Sequence, residues 1–240
     1  MTINPLLINN EKEKKSSIFS IVIMPIGAGL GLLLIFLLLP NILPGLATSI
    51  IGTAPKAFWY LSRASAICSY LILWVSMMLG LAMTNRLAAK GTTRAAIFEI
   101  HKFTSIMGLF FALFHALILT GDQFLHLGIL NVLIPFAVSS YRFFWVGLGQ
   151  VAFYLWFILV ASFYVRRQIT KKGWRFIHFA SFATFLLALF HGITSGTDAG
   201  LLSMQGVYLA SGGLFIFLTI YRIFSALLKN DPLLPQPKSQ

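Results

Sequence analysis

The chain has 240 residues, of which 58% are apolar and only 10% charged, and its formal net charge is +12. A soluble domain carries nearer a quarter charged residues, so this composition excludes an ordinary water-soluble fold. The basic excess falls in short clusters between long uncharged stretches, which excludes a nucleic-acid surface and marks membrane topology in an all-α integral membrane protein.

In chain order, residues 1–16 form a short N-terminal segment rich in lysine. Six apolar segments follow at roughly 17–39, 58–84, 98–120, 143–165, 174–195 and 204–228, each near the ~20 residues needed to cross the hydrocarbon core. Together, 17–228 reads as a six-helix transmembrane bundle. Segment 1 reads as a retained helix, because its apolar run is longer than that of a typical signal peptide. It ends at Pro40, and Asn41 to Pro44 is a breaker run. Its Gly27-Ala28-Gly29-Leu30-Gly31 stretch follows no strand and is not a dinucleotide site. Residues 229–240 are polar and proline-rich and read as a disordered tail. The single cysteine, Cys68, lies inside an apolar segment and reads as a small buried residue.

Lysine and arginine orient the bundle. With the N-terminus in the cytoplasm, every basic residue faces inward except Lys56, Arg63 and Arg142, and the sides alternate correctly at each loop. The expected location is the cell membrane, multi-pass, with both termini cytoplasmic. Segments 3 and 5 then both run from inside to outside. The basic loop 166–174 (Arg166, Arg167, Lys171, Lys172) is either a plain topology signal or an inner docking surface for an acidic partner.

Segments 3 and 5 carry four of the five histidines: His101 and His115 in the first, His178 and His191 in the second. Ionisable residues inside a membrane span are costly and point to function. Neutral imidazole is a normal axial ligand of haem iron. The pairs are separated by about 21 Å and about 20 Å along their helices, at a rise of 1.5 Å per residue. Because the segments run parallel, His101 matches His178 near the inner side and His115 matches His191 nearer the outside. Each depth offers the two imidazoles that a six-coordinate b-type haem takes. Rotation fits less well. At about 100° per residue, His115 lies about 40° from His101, but His191 lies about 140° from His178. Tilt, supercoiling, a π-bulge or haems on different sides of segment 5 must absorb that. Gly108, Ala183 and Thr184 leave room for a porphyrin face or for close helix packing. Any single histidine could also serve an interhelical hydrogen bond. His126, beside Asp122 in the outer loop, reads as a solvated or interfacial residue.

Arg63, early in segment 2 and at its outer end, has two readings. It snorkels to the headgroups, or it acts near an outer haem by pairing with a propionate or polarising a bound oxygen species.

Arg63-Ala64-Ser65, Ile100-His101-Lys102, His115 and Phe190-His191-Gly192 resemble the ferric reductase-like transmembrane domain. That family covers NADPH oxidases, ferric reductases and the haem-binding membrane subunit of bacterial methionine sulfoxide reductase systems. The resemblance spans roughly residues 58–228. It implies a six-helix bundle with two b haems between helices 3 and 5, an inner iron on His101 and His178, and an outer iron on His115 and His191. Arg63 matches an arginine near the outer haem of the oxidases. The oxidases and ferric reductases continue into a flavin- and nicotinamide-binding domain, whereas this sequence ends soon after segment 6. The expected electron donor is therefore a separate reductase, a quinol or a bound flavin. The leading expectation is a di-haem conduit from a cytoplasmic-side donor to an outside acceptor. The alternatives are a haem-bearing anchor subunit of a partner oxidoreductase and a proton-relay transporter or channel without cofactor.

Overall fold

The computed structural model describes residues 57–85, 92–122, 124–138 and 141–229, together with Ile26 and Leu30. The first expected helix (17–39, apart from those two residues), the loop near residue 90 and the C-terminal tail lie outside the described residues. Within them, every regular element is helical: α1 (Ala57–Thr84), α2 (Thr92–Ile118, continued by a 3₁₀ turn at Leu119–Gly121), α3 (Ile129–Leu133), α4 (Phe143–Tyr164), α5 (Lys171–Ser195) and α6 (Leu202–Lys229). Five of these are long and apolar enough to cross a membrane: all but α3. The chain is accordingly a multi-pass membrane protein. Large apolar side chains such as Leu209, Phe217 and Phe176 point outward, as lipid contact requires.

Helix ends follow local chemistry. The Thr170 side chain accepts from Gly173 N at 3.1 Å and starts α5 ahead of the expected residue 174, because a threonine N-cap satisfies an otherwise unpaired amide. Thr92–Arg94 extend α2 before its expected start at 98, since a polar first turn continues readily as helix.

The helices associate mainly as two antiparallel hairpins, α1 with α2 and α4 with α5, while α6 packs against α1 and α5. The α1–α2 seam repeats every seven residues. Ser62, Ser69 and Ser76, all buried, meet His115, Gly108 and His101 in turn. A strict heptad of small residues lets two helix backbones approach closely along a supercoiled seam. A buried cluster ties the hairpins together: Tyr70, Leu73, Met77 and Leu81 of α1, Trp156 of α4, Phe185 and Leu189 of α5 and Phe215 of α6. The Tyr70 hydroxyl meets Ser211 Oγ at 2.5 Å, and Arg222 donates to Thr84 O at 2.9 Å, fastening α6 to α1. The expectation that Cys68 is buried is corrected. It is exposed, because α1 turns its serines and Tyr70 inward and leaves Cys68 on the outer side.

Candidate haem centre

Two histidine pairs form between the hairpins. The His101 and His178 ring centres are 6.3 Å apart with planes at 77°, and those of His115 and His191 are 6.4 Å apart at 67°. The order of the pairs requires α2 and α5 to run parallel. His126 takes no part. It is exposed in the loop before α3, at φ 47°.

Three of the four rings are held by a backbone carbonyl at Nδ1. His101 Nδ1 donates to Ser76 O at 2.8 Å, His115 Nδ1 to Ser62 O at 2.9 Å and His191 Nδ1 to Trp145 O at 2.9 Å. A carbonyl can only accept, so Nδ1 carries the proton and Nε2 keeps its lone pair. That is the tautomer a metal-binding histidine uses. His178 is held by stacking on Trp174, with ring centres 5.1 Å apart and planes at 19°.

Each pair faces a cavity. His101 and His178 line one of about 530 Å³, and His115 and His191 line one of about 310 Å³. Leu73 and Trp156 border both, so they stand between the two levels. Gly108, expected either to admit a porphyrin face or to serve packing, is used for packing. A Cβ there would lie 2.6 Å from the Trp156 ring. Gly149 does the same for the His115–His191 pair, where a Cβ would lie 2.5 Å from His191 Nδ1.

The rotational mismatch along α5 is met by a change of face, to which winding contributes about 40° over the span between His178 and His191. The helix stays α-helical throughout, without a π-bulge. Its cavity-lining residues pass from Trp174, His178, Ser181 and Phe182 at one level to Ala188, His191, Gly192 and Ser195 at the other. A seam of heptad spacing slips about 20° per seven residues on a 3.6-residue helix. The two levels thus use different sides of α5.

These residues fit haem. Two imidazoles sharing one metal at roughly 2.0–2.1 Å per nitrogen have ring centres about 6.3–6.5 Å apart, and the observed separations fall there. Among the described residues no three His, Cys, Asp or Glu side chains gather around one point. Porphyrin iron asks for only two protein ligands, since the macrocycle supplies the other four.

Arg63 lines the cavity that holds His115 and His191, but it is already engaged. Its Nε donates to Asp198 Oδ2 at 2.7 Å, a second nitrogen contacts Oδ1, and the guanidinium lies 4.1 Å from the centre of the Trp59 ring. Sequence reading missed Asp198, Trp156, Trp174 and the serine seam. The recoverable signal was the heptad Ser62-Ser69-Ser76 set against His101-Gly108-His115. Compared with known proteins, the chain matches no family model, no curated protein and no solved structure.

Proposed function

We propose that this chain is a di-haem b-type membrane electron carrier of the ferric reductase-like kind, passing electrons from a cytoplasmic-side donor to an acceptor outside. One observation carries the reading: two histidine pairs at two depths on parallel helices, each at bis-imidazole spacing, with three of the four rings held at Nδ1 by a carbonyl. His101 and His178 would hold the inner iron, and His115 and His191 the outer. When bound, haem supplies a one-electron redox centre at each level. The chain's own part is to fix tautomer and ring orientation through Ser76, Ser62 and Trp145, and to exclude water with an apolar lining. The space between the levels is filled by Leu73 and Trp156. That filling also speaks against the proton-relay alternative, which needs a continuous polar file.

The distribution of lysine and arginine supports the orientation, with the His101–His178 level on the cytoplasmic side. Lys102, Lys171, Arg175 and Arg222 line the inner cavity and give it a basic mouth. Such a mouth suits an anionic donor, such as a reduced flavin or the acidic face of a reductase. The test is haem content per chain and the optical spectrum of protein purified from haem-replete cells. Two non-covalent b haems, low-spin in both redox states, are expected, and a colourless preparation removes the reading.

A further inference from the structure

The outer mouth carries a charge pair that histidine geometry does not require. The Arg63 fork meets both carboxylate oxygens of Asp198, across 135 residues of sequence. Bidentate arginine–carboxylate contacts are among the stronger polar contacts and fix both partners. Both side chains are partly buried, 28% and 18% exposed, and both line the cavity that holds His115 and His191. Asp198 is itself positioned by its turn, where Leu201 N donates to Asp198 O at 2.9 Å. Asp122 accepts from Phe124 N at 2.8 Å and Leu125 N at 2.9 Å and does not line this cavity.

The consequence is electrostatic. A lone arginine here would give the outer mouth a net positive charge and attract anions. Paired with Asp198, it leaves only a dipole. The inner mouth is the opposite case: four basic side chains line it and Lys102 alone among them pairs with Glu99, at 2.6 Å, so a net positive charge remains. Aromatic and apolar groups, Phe124, Leu125, Tyr141 and Tyr208, complete the outer lining and suit a flat uncharged ring.

We infer that Asp198 is a specificity-determining residue: by cancelling the charge of Arg63, it makes the outer mouth select an uncharged electron acceptor of the quinone kind over an anionic one. This rests on the electron-carrier reading.

The test uses full-length protein sealed in vesicles with the His115–His191 mouth facing the medium, reduced with dithionite, freed of excess reductant and mixed anaerobically with one of two acceptors, so that membrane-impermeant ferricyanide meets only that mouth. Ferricyanide takes one electron and becomes ferrocyanide. A benzoquinone takes two electrons, one from each reduced centre, and two protons from water to become the hydroquinone. Haem content and spectrum are recorded first for every protein. A colourless wild type defeats the underlying reading and the inference with it, whereas a haem-loaded protein puts only the inference at stake.

In Asp198→Asn the uncovered cation should speed oxidation by ferricyanide roughly tenfold at low ionic strength, and the gain should fade as salt screens it. Arg63→Gln, leaving an unpaired carboxylate, should slow the same reaction. The double variant should return near wild type. Oxidation by benzoquinone should stay within about twofold throughout, since an uncharged acceptor feels no net attraction. A pair that merely staples α1 to the 196–201 turn would move both single variants in the same direction with both acceptors, and that result overturns the inference. If a single variant does not fold, wild type and the double variant decide. Their ferricyanide rates should match and depend little on salt, and a wild-type rate that falls steeply with salt overturns the inference equally.

Discussion

At Gly149 the absence of a side chain is what lets His191 reach its position. A Cβ there would lie 2.5 Å from Nδ1, well inside van der Waals contact, and would push the ring off the Trp145 carbonyl. On the proposed reading, Gly149→Ala should therefore remove the centre at His115 and His191 and spare the one at His101 and His178, lowering haem content from about two to about one per chain. Gly80→Ala is the control. A Cβ there meets His101 Cε1 at 3.5 Å, an ordinary contact, so both centres should survive. Haem content and the reduced-minus-oxidised spectrum read both outcomes. The serines divide their roles similarly. Ser62 Oγ lies 2.9 Å from His115 Nδ1, but the Ser62 carbonyl lies equally near. Ser62→Ala removes the hydroxyl and keeps the carbonyl, so it should cost only about 1 kcal/mol of stability and leave the outer spectrum intact, as thermal denaturation would show. Of the candidate site residues, all four histidines could be paired from sequence, because parallel topology and spacing decide depth. Asp198 could not, because its partner is distant in sequence and meets it only once α5 and α6 are joined by their turn.

At the scale of elements, the serine seam sets the depth of both histidine pairs, since His101 and His115 both face it. Ser69, buried between them and donating to Gly108 O at 2.9 Å, is its midpoint. Ser69→Leu should separate α1 from α2, destabilise the protein by roughly 1–3 kcal/mol through overpacking and disturb both centres together. Loss of only one centre would mean that the helices pivot rather than part. Of the ways the sequence left open to meet the helix rotation, the two pairs use different sides of α5. The 140° offset between His178 and His191 assumes a straight interface, whereas the cavity-lining stripe of α5 winds about the helix. Sequence periodicity gives the angle between two side chains but not the path of the surface they face. Packing at Gly108 was among the readings the sequence offered, but its partner was not, because the Trp156 ring that packs there comes from a different hairpin.

For the whole molecule, the five apolar helices make a multi-pass protein, and orientation is the larger proposal. Reporter fusions should place residue 168 in the cytoplasm and residue 199 outside, on opposite sides of α5. The parallel course of α2 and α5 was legible from charge alternation alone, because lysine and arginine fall where a hairpin must turn inside. The contrast between a basic mouth at the His101–His178 pair and an ion-paired one at the His115–His191 pair was not. It depends on which charges are paired, and only the fold reveals that.

The seam also spaces the two levels at opposite depths. With His101 and His115 about 21 Å apart along α2, an electron passed between the pairs crosses about two-thirds of a hydrocarbon core about 30 Å thick. On the proposed reading, each transfer is therefore electrogenic. A potential of 100 mV, negative inside, acts on the moving charge with about 1.5 kcal/mol, two-thirds of the value for a full crossing. The inside-negative voltage of a living membrane pushes that electron outward. The chain thereby draws on the membrane potential as well as on the difference in redox potential between donor and acceptor. In sealed vesicles, imposing such a potential should accelerate reduction of an outside acceptor, and reversing its sign should slow it.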